Sequence, residues 1–348
     1  MPRCASAGTQ SGCTAGDKEE TTARRSQLAV TVDAMESAIK PARWKILIAF
    51  AIIYLVWGST FFAIRVGVSQ VPPFFFCAMR FLAAGLLVYL WAIAHGERGP
   101  TKRQWLSVFL LAFLIFVIDY GLLFWAEQRV PSGIAAVILA TIPGFMALSE
   151  ILILRTQRLT MRLAFALLAG IAGVAVLVSP PRLLGNLGGA AIDKAGAIAL
   201  IIGAIGWSVA SALSRKLPLP SSKVMSSGAQ MLAGGIMLAF VAALRGEGRG
   251  LHLSAVSGSA WIALFYLVFA GSITGFTAYV WLLHHESPTK VGTYAYVNPV
   301  VAVVLGYWLG GEPVGVRTIA GGLFVLVSVV AITSMRPKTK PVAAEEPA

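Results

Sequence analysis

The stretch WAEQRVPSGIAAVILATIPGFMALSEILILRTQRL at residues 125–159 decides the fold, because its apolar core is long enough to span a bilayer. A related stretch, WLLHHESPTKVGTYAYVNPVVAVVLGYWLGGEPV, occupies residues 281–314. Anchors correspond at an offset of 156 residues in these stretches and at 150 earlier in the chain. The pairs are Trp125 with Trp281, Pro143 with Pro299, Trp57 with Trp207, Arg65 with Arg215 and Arg80 with Gln230. They predict a duplicated unit of about 150 residues.

The composition is typical of a polytopic membrane protein. The chain is 57% hydrophobic and 12% charged, with a mean hydropathy of +0.78, whereas soluble domains have about 25% charged residues. The net charge of +13 is therefore interpreted as membrane topology and not as binding to nucleic acid. The three cysteines offer neither a disulfide framework nor a metal-ligand spacing.

Apolar segments of about 20 residues recur with short breaks, and about 20 helical residues cross a bilayer core of about 30 Å. Open strands could not satisfy their backbone groups in lipid. We therefore predict an all-α fold of ten transmembrane helices, near residues 45–64, 74–94, 105–126, 132–154, 162–178, 195–213, 224–244, 260–282, 290–309 and 316–334.

The positions of lysine and arginine predict the orientation of these spans. With the N-terminus in the cytoplasm, sixteen basic residues flank the cytoplasmic ends of the spans and seven flank the opposite ends. The positive-inside rule expects this bias, so both termini are predicted to be cytoplasmic. Five spans per repeat is an odd number, so the second repeat enters from the other side of the membrane. Such inverted-topology repeats are frequent in secondary transporters.

The predicted organisation has four parts. A disordered N-terminal tail covers residues 1–44, and the two five-helix repeats cover residues 45–180 and 195–335, followed by a C-terminal tail at 336–348. The first tail is rich in Ser, Thr, Ala and charge and lacks apolar periodicity. Met35 directly precedes the first span, and we hypothesise that translation starts there.

Six motifs carry a family resemblance over residues 45–335. They are WGSTFFAIR (57–65), MRFLAAGLLVYLW (79–91), PSGIAAVILATIPGFMALSEILIL (131–154), RLTMRLAFALLAGIAGVAVLV (158–178), SPTKVGTYAYVNPVVAVVLGYWLGGEPV (287–314) and IAGGLFVLVSVVAI (319–332). With these motifs the chain resembles the EamA-type transporters of the drug/metabolite transporter (DMT) superfamily. The resemblance implies ten helices in two EamA units and the export or uptake of small metabolites. It is specific for the fold and weak for the substrate.

One motif departs from the family pattern. The family usually has Gly-Glu after the fourth span, as Gly311 and Glu312 stand after the ninth. In the first repeat, Arg155, Thr156 and Gln157 occupy that place. A role for an acidic residue there is therefore not carried over to this chain.

Arg80, Asp119 and Glu150 are ionisable residues within the predicted spans, where charges usually face a cavity or a partner. Arg80 and Asp119 both lie roughly 10 Å from the outer end of their helices, so they are able to meet. One interpretation is a structural ion pair. The other places them in a substrate cavity, with Arg80 suited to a carboxylate and Asp119 to a cationic amine or a proton. Glu150 is expected to reach the interface or to pair with Arg155.

The remaining candidates are prolines, aromatic residues and polar residues at mid-membrane depth. Pro143 and Pro299 are predicted to be hinges, because each removes a backbone donor within a span. Trp57 and Trp207 lie deeper than the interfacial tryptophans and are candidates for an aromatic cavity wall. The full candidate substrate cavity comprises Trp57, Arg80, Asp119, Trp207, Gln230, Tyr279, Tyr296 and Asn298.

We predict a multi-pass protein of the cytoplasmic membrane that moves small organic metabolites by alternating access. An amino acid or a related compound is the expected substrate, and export is the expected direction. The alternatives are a cationic drug exporter and a membrane scaffold or enzyme that uses the same bundle. No carboxylate pair, ligand cluster or phosphate-binding loop points to an enzyme, a metal or another cofactor. The expected partners are the substrate and the lipid bilayer, with proton coupling and a homodimer left open.

Overall fold

A computed structural model of the chain describes residues 42–155, 158–178, 192–249, 251–285, 291 and 293–334. The chain divides into a unit of residues 1–46 and a unit of residues 47–348. Of the first unit, residues 43–46 form the first turn of a helix, and Lys45 N donates to Ala42 O at 2.9 Å. Most of the predicted N-terminal tail and all of the predicted C-terminal tail lie outside the described residues.

The described part of the chain is all-helical and contains no strand, which confirms the predicted fold class. Among the residues that the structure describes, eight helices are long and apolar enough to cross a membrane, and two shorter ones are also apolar. Each predicted span overlaps one of these ten helices. They are α1 Arg43–Val68, α2 Pro73–Ala94, α3 Lys102–Ala126, α4 Ser132–Leu154, α5 Met161–Val178, α6 Lys194–Leu213, α7 Lys223–Leu244, α8 Gly258–His285, α9 Tyr294–Gly310 and α10 Val316–Ser334.

The sequence explains where several helices begin. Pro73 starts α2, where a missing N–H costs nothing because the first amides of a helix have no intrahelical partner. Thr101 and Gln104 form a capping box at the start of α3. Side-chain oxygens of Asp193 and Ser222 accept backbone N–H groups at the starts of α6 and α7.

Three helices deviate from regular α-geometry inside the bundle. The third helix of each repeat contains a π-helical segment, at Phe113–Gly121 in α3 and at Leu267–Thr274 in α8. Such segments are rare and are often found at functional sites. Helix α4 is interrupted at residues 140–141, between Ser132–Leu139 and Ile142–Ser149, and ends in a π-helical turn at Glu150–Leu154.

The two predicted hinge prolines differ in their surroundings. Pro143 lies in the first turn of the second α4 segment, directly after the interruption. Pro299 lies inside the unbroken helix α9, which begins at Tyr294. The proline therefore falls in the second turn of α9. The hinge role of both residues stays a prediction.

Helices α2 and α7 occupy corresponding places in the two repeats, and they cross in close contact. A Cβ atom added to Gly228 or Gly235 would lie 2.7 Å from a main-chain nitrogen of α2, nearer than side chains come. As residue numbers rise along α2, the numbers of the facing residues fall along α7. The facing pairs are Leu82 with Gly235, Gly85 with Leu232 and Tyr89 with Gly228. The two helices therefore run antiparallel, as an inverted repeat requires.

The pairs α5 with α10 and α4 with α9 show the same antiparallel relation. Gly170 faces Ser328, whereas Gly173, further along α5, faces Gly321. The Ser328 hydroxyl also donates to Ala166 O at 2.6 Å. In α4 and α9, Gly133 faces Val303 and Ser132 faces Gly306. The small residues of α5 and α9 thus serve packing within the chain.

The outer surface of the bundle is apolar. Large hydrophobic side chains are exposed along several helices, including Leu86, Phe165, Ile262 and Trp308, the last of which is 76% exposed. An apolar surface of this extent is expected where a protein faces lipid and not water.

The α2–α7 contact predicts a stability difference between two glycine substitutions. Gly235→Ala should lower the free energy of unfolding by about 1–3 kcal/mol, because its methyl group would overlap main-chain atoms of α2. Gly258→Ala is the matched control, since nothing lies within 4 Å of a Cβ added there. Thermal unfolding in detergent measures both variants. Equal melting temperatures for the two variants would contradict the close contact.

Candidate functional site

Arg80 in α2 lies at the centre of the candidate site and is 2% exposed. Its Nε donates to the Ser272 hydroxyl at 3.0 Å, in the π-helical segment of α8. The guanidinium also lies over the aromatic rings of Phe81, Tyr120 and Phe124, at 4.8, 5.2 and 6.0 Å from their centroids. Aromatic faces attract cations most strongly where water is excluded. These rings therefore stabilise a charge that is otherwise costly at this depth.

The guanidinium of Arg80 retains an unused donor. Its Nη1 is buried and has no hydrogen-bond partner. The close approach of α8 depends on Gly271, since a Cβ added there would lie 3.2 Å from Arg80 Nη2. A buried donor without a partner is rare in native structures and marks a position where a ligand could accept it.

Asp119 lies in the π-helical segment of α3 and is 4% exposed. Its Oδ1 is buried and has no hydrogen-bond partner. The carboxylate faces α6 at Gly203, where an added Cβ would lie 3.0 Å from Oδ1. Because Gly203 has no side chain, there is room for the Asp119 carboxylate beside α6.

Arg80 and Asp119 do not form an ion pair. Ion pairs of the described residues include Arg215 with Glu150 and Arg245 with Glu247. Glu150 thus pairs with Arg215 of α6, at 3.3 Å, and not with Arg155 as expected. Equal depth brought Arg80 and Asp119 into one region, but their side chains point to α8 and α6 respectively.

An aromatic cluster adjoins Arg80 on the side of α1 and α9. The Trp57 indole donates from Nε1 to Gly271 O at 3.1 Å, next to the serine that binds Arg80. Its ring lies 5.2 Å from the ring of Tyr279 and 5.0 Å from that of Tyr294. Edge-to-face and tilted contacts of this length are favourable for aromatic pairs.

Trp207 of α6 reaches the same region from the other repeat. Its ring lies 6.2 Å from that of Tyr120, and Tyr120 also contacts Arg80. The structure therefore brings together five of the predicted site residues, directly or through Tyr120 and the Gly271 segment. They are Trp57, Arg80, Asp119, Trp207 and Tyr279.

The other three predicted residues make different contacts. Gln230 Nε2 donates to the Ser226 hydroxyl at 3.0 Å within α7. The Tyr296 hydroxyl donates to Val329 O in α10 at 3.2 Å. The Asn298 amide, oriented so that its nitrogen donates, lies 3.2 Å from Tyr294 O and 3.2 Å from Tyr54 O. None of these contacts involves Arg80, but the Asn298 contact reaches Tyr294 of the aromatic cluster.

Sequence reasoning missed several residues of the Arg80 region. Ser272 was overlooked because single serines are common in membrane helices and often bond to their own backbone. Phe81 and Phe124 were not distinguishable from lipid-facing phenylalanines. The direction in which a residue faces around its helix axis distinguishes a site-facing side chain from a lipid-facing one. The π-helical segments change that direction for the residues that follow them.

A second polar group, also missed, joins the two repeats at one end of the bundle. It consists of Arg65, Glu127, Ser132 and Glu312, and we call it the end cluster. Glu312 accepts backbone N–H groups from Ser132 at 2.8 Å and Gly133 at 3.2 Å. A carboxylate at the N-terminus of a helix is favourable, because unpaired amides and the helix dipole both attract negative charge.

Glu127, the first residue after α3, is fully buried, and neither of its carboxylate oxygens has a hydrogen-bond partner. Arg65 Nη1 donates to the main-chain oxygen of Glu127 and not to its carboxylate. Burial raises the pKa of Glu127 well above its ordinary value, and the nearby Glu312 carboxylate raises the pKa further.

Comparisons with known proteins agree with this architecture. The profile described as the EamA-like transporter family matches residues 44–179 and again residues 194–334. The uncharacterized inner membrane transporter YedA of Escherichia coli (strain K12) is 37% identical over 281 residues, which cover 80% of this chain and 87% of that protein. Protein PecM of Dickeya dadantii (strain 3937) is 26% identical over 295 residues, covering 82% of this chain and 93% of PecM.

A solved crystal structure shares the fold. Its TM-score to this chain is 0.54 at 21% sequence identity, and the match covers 86% of this chain and all of the other. At this identity the likeness concerns the fold alone.

The separate contacts of Arg80 and Asp119 predict the outcome of a double-mutant cycle on stability. Asp119→Asn should unfold at the wild-type temperature or above, because it removes a buried charge that has no ion-pair partner. Combining it with Arg80→Gln should show a coupling well below the about 3–5 kcal/mol expected for a broken buried ion pair. Thermal unfolding of the four proteins in detergent measures the coupling. Recovery of wild-type stability only in the double variant would show that the two residues pair.

Proposed function

This chain belongs to the EamA-like transporter family, and from that membership we propose that it is a secondary transporter of a small amino acid-like metabolite. It is a membrane protein of the DMT superfamily, and its family relatives point to a transporter and not to an enzyme. The family does not define the substrate, so the argument for the substrate class rests on the Arg80 region.

The observation that carries the proposal is a pair of oppositely charged side chains in one buried region, each with an atom that has no hydrogen-bond partner. Arg80 offers an unused N–H at Nη1, and Asp119 offers an unused oxygen at Oδ1. A carboxylate is the natural partner of a guanidinium, and an ammonium group is a natural partner of a carboxylate. Since Arg80 and Asp119 do not pair with each other, a zwitterion could satisfy both at once.

The aromatic residues around these charges support a compact organic substrate. The rings of Trp57, Tyr279 and Tyr294 contact one another, and those of Tyr120 and Trp207 form a second contact beside Arg80. Ligand sites commonly combine apolar and aromatic walls with a few oriented polar groups. The aromatic walls and Asp119 would also suit a cationic drug, the alternative substrate class. The buried guanidinium disfavours that alternative, because it would repel a second cation in a low-dielectric setting.

The inverted repeats support alternating access as the transport mechanism. Corresponding helices of the two repeats run antiparallel, so exchanging the conformations of the two halves exchanges the side on which the site opens. The Arg80 region receives side chains from α2 and α3 of the first repeat and from α6 and α8 of the second. A relative movement of the halves would therefore open it. We propose export as the direction of net transport.

Transport into proteoliposomes tests the substrate class. A panel should contain zwitterionic amino acids, the matching amines without a carboxylate, and the matching acids without an amine. We expect uptake of zwitterions, with Arg80→Gln raising KM at least tenfold, since losing a hydrogen bond to a charged group costs about 1.5–3 kcal/mol. Arg98→Gln, in an exposed loop, is the control. Transport of amines alone, unaffected by Arg80→Gln, would favour the cationic drug exporter.

The orientation of the chain is tested separately, with reporter fusions. Fusions at Arg98, Arg158 and the C-terminus should report the cytoplasm, because the basic residues concentrate on that side. Fusions at Arg129, Asn186 and Gly248 should report the opposite side. A C-terminus on the outside would contradict the even number of spans.

A further inference from the structure

The end cluster contains an arrangement that the substrate site does not use. Glu127 is fully buried directly after α3, and both of its carboxylate oxygens lack a partner. The hydroxyl of Ser132, at the start of α4, is also fully buried and without a partner. Unsatisfied polar atoms of this kind are rare in folded proteins and call for an explanation.

The charged neighbours of Glu127 are engaged elsewhere or lie beyond ion-pair distance. Arg65 of α1 donates to the main-chain oxygen of Glu127. Arg80 of α2 interacts electrostatically with the Glu127 carboxylate but donates to Ser272. From α6, Asp193 directs its Oδ1 to the amide of Gly196 at 2.6 Å. After α9, Glu312 adds a second negative charge and accepts two amides of α4.

An ionised Glu127 would be unfavourable in this arrangement. Its charge would be buried and would repel the carboxylate of Glu312, and these two costs outweigh the attraction of Arg65 and Arg80, so the pKa is raised. A protonated Glu127 avoids both costs and can donate its hydrogen to a neighbouring oxygen. A hard metal cation is a poorer occupant, since it needs a shell of several oxygen ligands and Glu312 already accepts two amides.

We infer that Glu127 is a proton-binding site, which takes up one proton from the adjoining aqueous phase when this end of the bundle closes and releases it when this end opens. The step is an acid–base equilibrium in which the carboxylate gains a proton on an oxygen and loses it to water. No other bond forms or breaks. The ligand is the proton itself, and its coupling to transport rests on the proposed function.

The contact between Glu312 and α4 links this protonation to opening. Glu312 belongs to the second repeat, and the amides of Ser132 and Gly133 belong to the first. Separating the repeats at this end breaks these two hydrogen bonds and admits water to Glu127. Hydration then favours the ionised form of Glu127, so each opening releases a proton on that side of the membrane.

Stability against pH gives a readout that needs no substrate. Folding raises the pKa of Glu127 above its ordinary value of 4.5. In the pH interval between the ordinary and the raised pKa, the folded state therefore binds more protons than the unfolded state. The stabilisation is complete below that ordinary value and is lost as the pH rises toward the raised pKa. The melting temperature of the wild type in detergent should therefore fall across this interval, relative to Glu127→Gln, which cannot ionise.

Infrared spectroscopy of purified protein tests the site directly. The background variant is Asp119→Asn, which removes the other buried carboxyl that has an unpartnered oxygen. In this background the protein at neutral pH should show a protonated-carboxyl band that Glu127→Gln removes. Glu247→Gln is the matched control, because Glu247 also follows a helix end but pairs with Arg245 and accepts the amide of Phe75. It should leave the band unchanged. Glu312→Gln removes the neighbouring negative charge, so the band should titrate at lower pH than in the wild type.

Proteoliposomes then separate this inference from the proposed function. With an internal pH indicator, wild-type substrate transport should move protons, whereas Glu127→Gln should exchange substrate without proton movement. In the Asp119→Asn background, a band that survives Glu127→Gln overturns the inference, whatever the transport result. If Glu127→Gln does not fold, an unshifted band in Glu312→Gln overturns it instead. The melting temperature in sodium and in choline salts tests for a metal cation. A higher melting temperature in sodium that is lost in Glu127→Gln, together with no protonated-carboxyl band, would show that a metal cation occupies the site. No transport of any panel compound by the wild type, with the band as expected, would count against the proposed function alone.

Discussion

The close contact of α2 with α7 is the constraint on which the rest of the structure depends. At this crossing the two main chains approach so closely that side chains are excluded at Gly228 and Gly235. Lipid offers no hydrophobic driving force between helices, so van der Waals contact at such crossings replaces it. The crossing joins corresponding helices of the two repeats in opposite directions. It holds Arg80, which precedes Leu82 of the crossing in α2, at a fixed height beside α3 and α8.

Much of this architecture could be predicted from the sequence, because bilayer thickness and backbone hydrogen bonding leave few solutions for an apolar chain. The offset between Trp57 and Trp207 and an odd number of spans per repeat were sufficient to predict antiparallel repeats. The interruption beside Pro143 also follows from local chemistry. The unbroken helix at Pro299 did not, because the same local chemistry predicted a break at both prolines.

The candidate site was only partly predictable. Depth along a helix follows from residue number, and it placed Arg80 and Asp119 in one layer. Rotation about the helix axis decides contact, and the π-helical segments of α3 and α8 change that rotation locally. Arg80 therefore meets Ser272 and aromatic rings instead of Asp119. Glu127 was missed for another reason: it follows the last apolar residue of a span, where an exposed acid is the usual expectation.

The unequal ends of the two repeats have an energetic consequence. If both halves had the same sequence, a two-fold rotation would relate the states open to either side. These states would then have equal free energy, and the empty protein would populate them equally. Glu312 bonds to α4, whereas the corresponding position in the first repeat carries threonine, at residue 156. Each such difference changes the free energy of one open state and not of the other. A free-energy difference of about 1.4 kcal/mol between the two states shifts their populations tenfold. Under the proposed alternating access, this difference would lift the degeneracy and give the empty protein a preferred resting side.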